Sequence, residues 1–241
     1  MNKDNNKQPV RARDLLPRMG SYFQKKQAEW EAKPESEKRL ILEKRRQAQE
    51  AEKQRELIDF YKAKGIPERF WESTWDNWTA DSPAKKHALI TVKTTAWNTN
   101  LFLYGRNGTG KTHLAMCLVK AGATYRRLSD IFREVREKRD SERTIINRYG
   151  SVKLLIVDEA GRPRLPPFEM MKLINLFFDI IDKRWNNMLP TTLITNLATG
   201  EFSAEYGAAT LDRLRPVPVH FDWESYRHRE TLRVPSEQAN W

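Results

Sequence analysis

A chain of 241 residues is long enough for one α/β domain and a smaller appendage. With 39% apolar residues it can build a core, and a net charge of +11 favours phosphate-bearing partners such as nucleotide or nucleic acid. A single cysteine, Cys117, excludes a disulfide framework and a zinc site, and no signal-peptide core or membrane-length apolar run is present, so a soluble cytoplasmic protein with no membrane contact is expected.

Residues 1–64 carry more than half of the excess positive charge. After Pro34 the chain is rich in helix formers with Glu43/Arg46, Glu50/Lys53 and Glu52/Arg55 at i,i+3, and Glu35 and Glu37 suit a first turn. This predicts an exposed helical arm, 1–64, with apolar patches at Leu15–Phe23, Leu40–Leu42 and Leu57–Tyr61. Lys64-Gly65-Ile66-Pro67 stops the helix, and a second domain is expected over 65–241. The aromatic stretch with Phe70, Trp71, Trp75 and Trp78 reads as core packing at the junction.

Strand and helix signals then alternate. Strands are expected at Asn100–Tyr104, Lys153–Asp158, Thr191–Asn196 and Val217–Phe221, and helices at Thr112–Ala121, Leu128–Lys138 and Met170–Arg184. Gly122–Arg127 makes a poor strand. The pattern argues for an α/β fold, a parallel sheet flanked by helices, with the Pro218 strand at an edge because proline cannot donate to a ladder.

Gly105-Arg-Asn-Gly-Thr-Gly-Lys-Thr112 fits G-x-x-x-x-G-K-[ST], after an apolar strand and before a helix. Such glycines let successive backbone N–H groups point at phosphate oxygens, and the helix adds its positive end. Gly105, Asn107, Gly108, Thr109, Gly110, Lys111, Thr112 and His113 are therefore the expected ATP-binding residues, with Lys111 on the β/γ phosphates and Thr112 on Mg²⁺. Leu154-Leu-Ile-Val-Asp158-Glu159 brings two acids to a strand's C-terminal end, Asp158 for Mg²⁺ and Glu159 to polarise the attacking water. An Asp-Glu pair there is typical of ring-forming ATPases. Asn196 ends the strand expected between the two motifs and is placed to orient that water. A γ-phosphate also needs arginine in the transition state, for which Arg213, Arg215, Arg227, Arg229 and Arg233 are candidates.

GIPERFWESTWDNW (65–78), GRNGTGKTHL (105–114), Ser129-Asp-Ile131, LLIVDEAG (154–161), TTLITN (191–196), LDRLR (211–215) and HFDWESYR (220–227) carry a family likeness. Through them the chain resembles the DnaC-type replicative helicase loaders, in the DnaC/IstB branch of AAA+ ATPases. The resemblance implies a five-stranded sheet of order 5-1-4-3-2 and no separate lid domain. It implies Asn196 as first sensor, Arg213 as a finger reaching a neighbouring subunit's ATP, and Arg227 as second sensor. It also implies an N-terminal arm that grips a hexameric replicative helicase, and single-stranded DNA binding by the ATPase domain. Arg133, Arg136, Lys138 and Arg139, with Arg162 and Arg164, are the basic residues expected to line the DNA path. The alternatives are an IstB-like transposition helper acting with a transposase, suggested by Asn175–Phe178 and LDRL, and an ATP-binding scaffold with negligible turnover.

Overall fold

A computed structural model describes residues 12–137, 140–161 and 165–226, with side chains from Tyr22 onward. The chain divides into two compact units, one ending at Ile58 and the other starting at Asp59.

The first unit consists of α1 (Ala12–Glu31) and most of α2 (Glu35–Ala63). Its surface is held by local charge pairs such as Lys26–Glu29 at 2.8 Å and Lys38–Glu35 at 3.0 Å, and Arg45 lies over the Trp30 ring. Tyr22, Phe23, Leu40, Leu42, Leu57 and Phe60 are exposed, whereas Tyr61, at the end of the third expected patch, is buried.

The second unit begins with the last turn of α2. A 3₁₀ turn (Glu68–Phe70), α3 (Pro83–Thr95), β1 (Leu101–Gly105), α4 (Lys111–Lys120), β2 (Thr124–Arg127) and α5 (Leu128–Arg136) follow. Then come α6 (Glu142–Ser151), β3 (Leu155–Asp158), α7 (Pro167–Asn186), β4 (Thr191–Thr195), α8 (Thr199–Tyr206), α9 (Ala208–Leu214) and β5 (Val217–Phe221). Ser82 caps α3, accepting from Lys85 N with Pro83 at the first helical position, and Ser141 caps α6 by accepting from Thr144 N.

The sheet is parallel throughout, in the order β2-β3-β4-β1-β5, which is the expected order read from the other edge. β5, with Pro218, is an edge strand as expected. The segment that made a poor strand, 122–127, does form β2 at the other edge. Its four residues Thr-Tyr-Arg-Arg are polar or amphipathic because an edge strand needs no continuous apolar run.

Alternation along the strands divides the core into two layers. Leu101, Leu103, Ile156, Ile194 and Val219 pack beneath α3 and α4; Phe102, Leu155, Val157 and Leu193 pack beneath α5 to α9. Cys117 is buried within α4, and burial pushes its thiol up to about 11, as befits a small apolar filler. Arg184 is 1% exposed in α7 and donates to Thr191 Oγ1 at 2.8 Å, to Tyr149 O and Val152 O at 2.8 Å each, and to Pro190 O. One guanidinium thus closes the loops before β3 and β4. Among the described residues no helix is long and apolar enough to cross a membrane.

Candidate active site

The phosphate-binding loop joins β1 to α4, at the end of the sheet where parallel strands finish. Gly105 sits at φ +124°, and a Cβ there would lie 2.4 Å from Phe221 O on β5. Gly110 sits at φ +93°, where a Cβ would meet the Trp78 ring at 2.2 Å. Both positions therefore require glycine for conformation and for close approach. Asn107 is exposed at the crest of the loop, and Thr109 Oγ1 donates to Arg106 O at 2.8 Å. Lys111 Nζ donates to Gly105 O at 2.8 Å and Arg106 O at 2.7 Å, so the ammonium lies inside the curl of its own loop. Such a group can exchange carbonyl partners for phosphate oxygens without moving far.

Across the site, β3 delivers Asp158, 4% exposed. Three donors fix its carboxylate: Thr112 Oγ1 to Oδ2 at 3.1 Å, Tyr125 OH to Oδ2 at 3.0 Å, and the Glu159 N–H to Oδ1 at 2.7 Å. A hydroxyl and a carboxylate so close form a hard-oxygen pair suited to Mg²⁺. Among the described residues no group of three or more His, Cys, Asp or Glu is assembled as a metal cage. That donor set fits an ion carried in largely by phosphates and water.

Glu159 holds φ +56°, a left-handed conformation unusual for a long side chain and of the kind that collects at functional sites. Its Oε1 lies 3.6 Å from Arg127 Nε. Tyr125 and Arg127 come from the edge strand, in register with Ile156 and Asp158. The Tyr125 phenol is pushed well up from its ordinary pKa, chiefly by burial and next by the Asp158 charge. The Arg127 guanidinium is pushed up first by its bond with that phenol.

Asn196 is exposed just past β4, and β4 lies between β1 and β3. It emerges between the phosphate loop and the acid pair, as expected. His113 is turned toward the preceding segment, with Nε2 2.9 Å from Thr74 O, and burial lowers its pKa. It can serve a nucleotide only through its place in the first turn of α4.

Arg213 lies elsewhere. α9 leads into Val217, which pairs with Leu101 at the start of β1, whereas Gly105 pairs with Phe221 at the finish of both strands. There Arg213 Nε donates to Asp182 Oδ1 at 2.8 Å. Arg215 is engaged differently, over the Trp185 ring at 5.3 Å. Arg133 and Arg136 are exposed on α5, the first 3.3 Å from Asp130 and the second 3.5 Å from Glu169. Lys138, Arg139, Arg162, Arg164, Arg227, Arg229 and Arg233 lie outside the described residues.

Several residues at the site have no local sequence signal. Trp78 packs against Phe221, Trp223, Tyr226 and His113, with ring centroids 5.7 to 6.3 Å apart. Trp223 Nε1 donates to Thr109 O at 2.9 Å, and the Tyr226 N–H donates to Gly108 O at 2.9 Å. Trp78 is part of the core, as expected, but it is also a wall of the phosphate loop. Tyr125 and Arg127 were not expected at the site, because only their register across two strands brings them to Asp158.

A family model described as IstB-like ATP binding protein matches residues 16–233, most of the chain. The replicative helicase loader DnaC of Escherichia coli K12 is 30% identical, over 53% of this chain and 56% of that protein, and the Shigella flexneri DnaC matches equally. The match thus spans little more than half the length of these curated relatives. Among solved structures, a DnaC helicase loader superposes with a TM-score of 0.55 at 19% identity, covering 64% of this chain and 99% of that one. DnaI gives 0.54 at 16%, covering 66% and 93%, and AMPPCP-bound DnaA from Aquifex aeolicus gives 0.52 at 19%, covering 64% and 51%. These likenesses carry the AAA+ fold. The chain belongs to the IstB-like ATP binding protein family, and it is an AAA+ ATPase similar to the DnaC-type helicase loaders.

Proposed function

We propose that the chain is an ATP-dependent loader of a hexameric replicative DNA helicase onto single-stranded DNA. The observation that carries this reading is the convergence of Trp78, Trp223 and Tyr226 on the phosphate loop. These residues belong to GIPERFWESTWDNW and WESY, the stretches in which the likeness to loaders is most specific, and they touch the nucleotide site directly. The curated relatives it matches are replicative helicase loaders.

In this reading Lys111 turns from its own carbonyls to the β/γ phosphates when ATP enters. Thr112 and Asp158 hold Mg²⁺, which when bound neutralises charge on the β/γ oxygens. Glu159 polarises water and Asn196 orients it. Arg213, at the far end of the sheet from its own Lys111, serves the ATP of a neighbouring subunit, so self-assembly completes the site. Arg227 is the second sensor of this scheme.

Single-stranded DNA would run past α5 and the start of α7. A half-open cleft of about 330 Å³ there is lined by Phe132, Arg133, Arg136, Glu159, Leu165 and Tyr206. At the start of α7 Phe168 is 68% exposed with Lys172 Nζ 4.4 Å from its ring centroid, a pairing of cation and aromatic face suited to phosphate and base. From the sequence, Lys138, Arg139, Arg162 and Arg164, which lie outside the described residues, are assigned to the same DNA path. The arm supplies the helicase contact through Leu40 and its neighbours.

The second reading is an IstB-like transposition helper, favoured by the family match. Gel filtration separates the two. The full chain with ATP should co-elute with the replicative helicase of its source and not with a transposase. Co-elution with the transposase alone would overturn the loader reading.

A further inference from the structure

The carboxylate of Asp158 carries one more donor than Mg²⁺ coordination alone calls for. Oδ1 is taken by the Glu159 N–H, and Oδ2 receives both the Thr112 and the Tyr125 hydroxyls. Thr112 opens the helix after the phosphate loop, so its hydroxyl must serve the cation as well. Tyr125 has no such second duty. Its ring is buried beneath β2 at 6% exposure, and its hydroxyl reaches along the sheet from the position paired with Ile156 to the acid two residues further on.

We propose that Tyr125 is a positioning residue for the divalent cation that accompanies the nucleotide: it fixes the rotation of the Asp158 carboxylate from the edge strand, so that the metal-facing oxygen is aimed before nucleotide and metal arrive. Arg127 extends the brace. Its Nε stands 3.6 Å from Glu159 Oε1, so two side chains of one edge strand reach the two acids, Tyr125 to Asp158 and Arg127 to Glu159. A buried carboxylate with one lone pair left unmet would rotate or recruit water, and a ligand free to rotate loses part of its affinity in ordering. The composition of β2 agrees with this role. Its paired arginines weaken it as a strand in sequence terms, while Tyr125 and Arg127 are the residues that reach the site acids.

This inference rests on the reading of Thr112 and Asp158 as the Mg²⁺ pair. The test is binding of a fluorescent ATP analogue to the full chain, titrated with Mg²⁺ and repeated in EDTA, for the parent and for Tyr125→Phe, with apo unfolding temperature as a third measurement. The phenyl ring keeps the packing and removes only the hydroxyl. We expect affinity in EDTA to stay within about twofold, while the Mg²⁺ needed for half-maximal enhancement rises on the order of tenfold. An unchanged Mg²⁺ midpoint overturns the proposal. A variant whose EDTA affinity and unfolding temperature fall in step with its Mg²⁺ response overturns it too, since the hydroxyl then serves the fold. A parent protein with no Mg²⁺ enhancement would instead defeat the assignment of Thr112 and Asp158, which keeps the two failures apart.

Discussion

Arg213 Nε donates to Asp182 Oδ1 at 2.8 Å, tying the end of α9 to the late turns of α7 at the end of the sheet where the strands begin. Lys111 lies past the other end, so Arg213 does not share a site with the lysine of its own chain. Arg213→Ala should keep ATP affinity and lose hydrolysis by roughly 10³-fold or more. Lys111→Ala should lose nucleotide binding. Mixing the two inactive proteins should restore some turnover, because each supplies the part the other lacks. Absence of rescue at every mixing ratio would argue that Arg213 acts within its own chain or not at all.

Glu159 is exposed over about half its side chain and faces Arg127, while Asp158 is buried among three donors. The neighbouring acids therefore have separable roles. Glu159→Gln should bind the fluorescent ATP analogue as the parent does and hydrolyse ATP on the order of 10²-fold slower or worse. Turnover at the parent rate would remove Glu159 from the chemistry.

Arg184 is a structural cation, far in kind from the arginines of the nucleotide site. Its hydrogen bonds go to main-chain carbonyls of Tyr149, Val152 and Pro190 and to the Thr191 hydroxyl. Burial lowers its pKa to about 10 from an ordinary 12.5. Below pH 10 it is charged in both folded and unfolded chains and adds no pH dependence. Arg184→Met would strand several buried carbonyls and should cost about 3 kcal/mol, a fall in melting temperature on the order of 10 °C. A melting curve within a degree or two of the parent's would contradict this.

Much of the fold was legible because the strands are short apolar runs between helix-period segments and the phosphate loop has a fixed spacing. β3 and β4 are buried at every position, and a short, fully apolar run such as Leu154–Val157 between turn signals reads as a buried strand. β2 was not legible, since an edge strand carries polar residues whose partners lie on β3, far along the chain. The helices α3, α6, α8 and α9 were also missed; they are short or only mildly amphipathic, and caps such as Ser82 and Ser141 are too common to stand out. Lys111, Thr112, Asp158 and Glu159 could be read from spacing alone. The aromatic wall could not, because Trp78 and Trp223 meet only after the whole sheet is assembled.

The arm offers a sharper test than a cut at its helix-breaking end. Tyr61, in the last turn of α2, is buried against Trp71 and lies under Lys120 Nζ at 4.7 Å, within the second compact unit. A protein beginning at Asp59 should melt like the parent and bind ATP, whereas one beginning at Gly65 should lose about 2 kcal/mol with that ring. Both should fail to capture helicase. Replacing Leu40, Ile41 and Leu42 with Ser should reproduce that failure without lowering ATP affinity. Full helicase capture by the shorter proteins would reduce the arm to a spacer.

The most direct measurement is deposition of the hexameric replicative helicase on closed circular single-stranded DNA, which offers no end to thread. Helicase recovered on the circles should depend on the full chain and on ATP, and should fall to background with Lys111→Ala. Equal recovery without the chain, or with Lys111→Ala in its place, would contradict ATP-dependent loading.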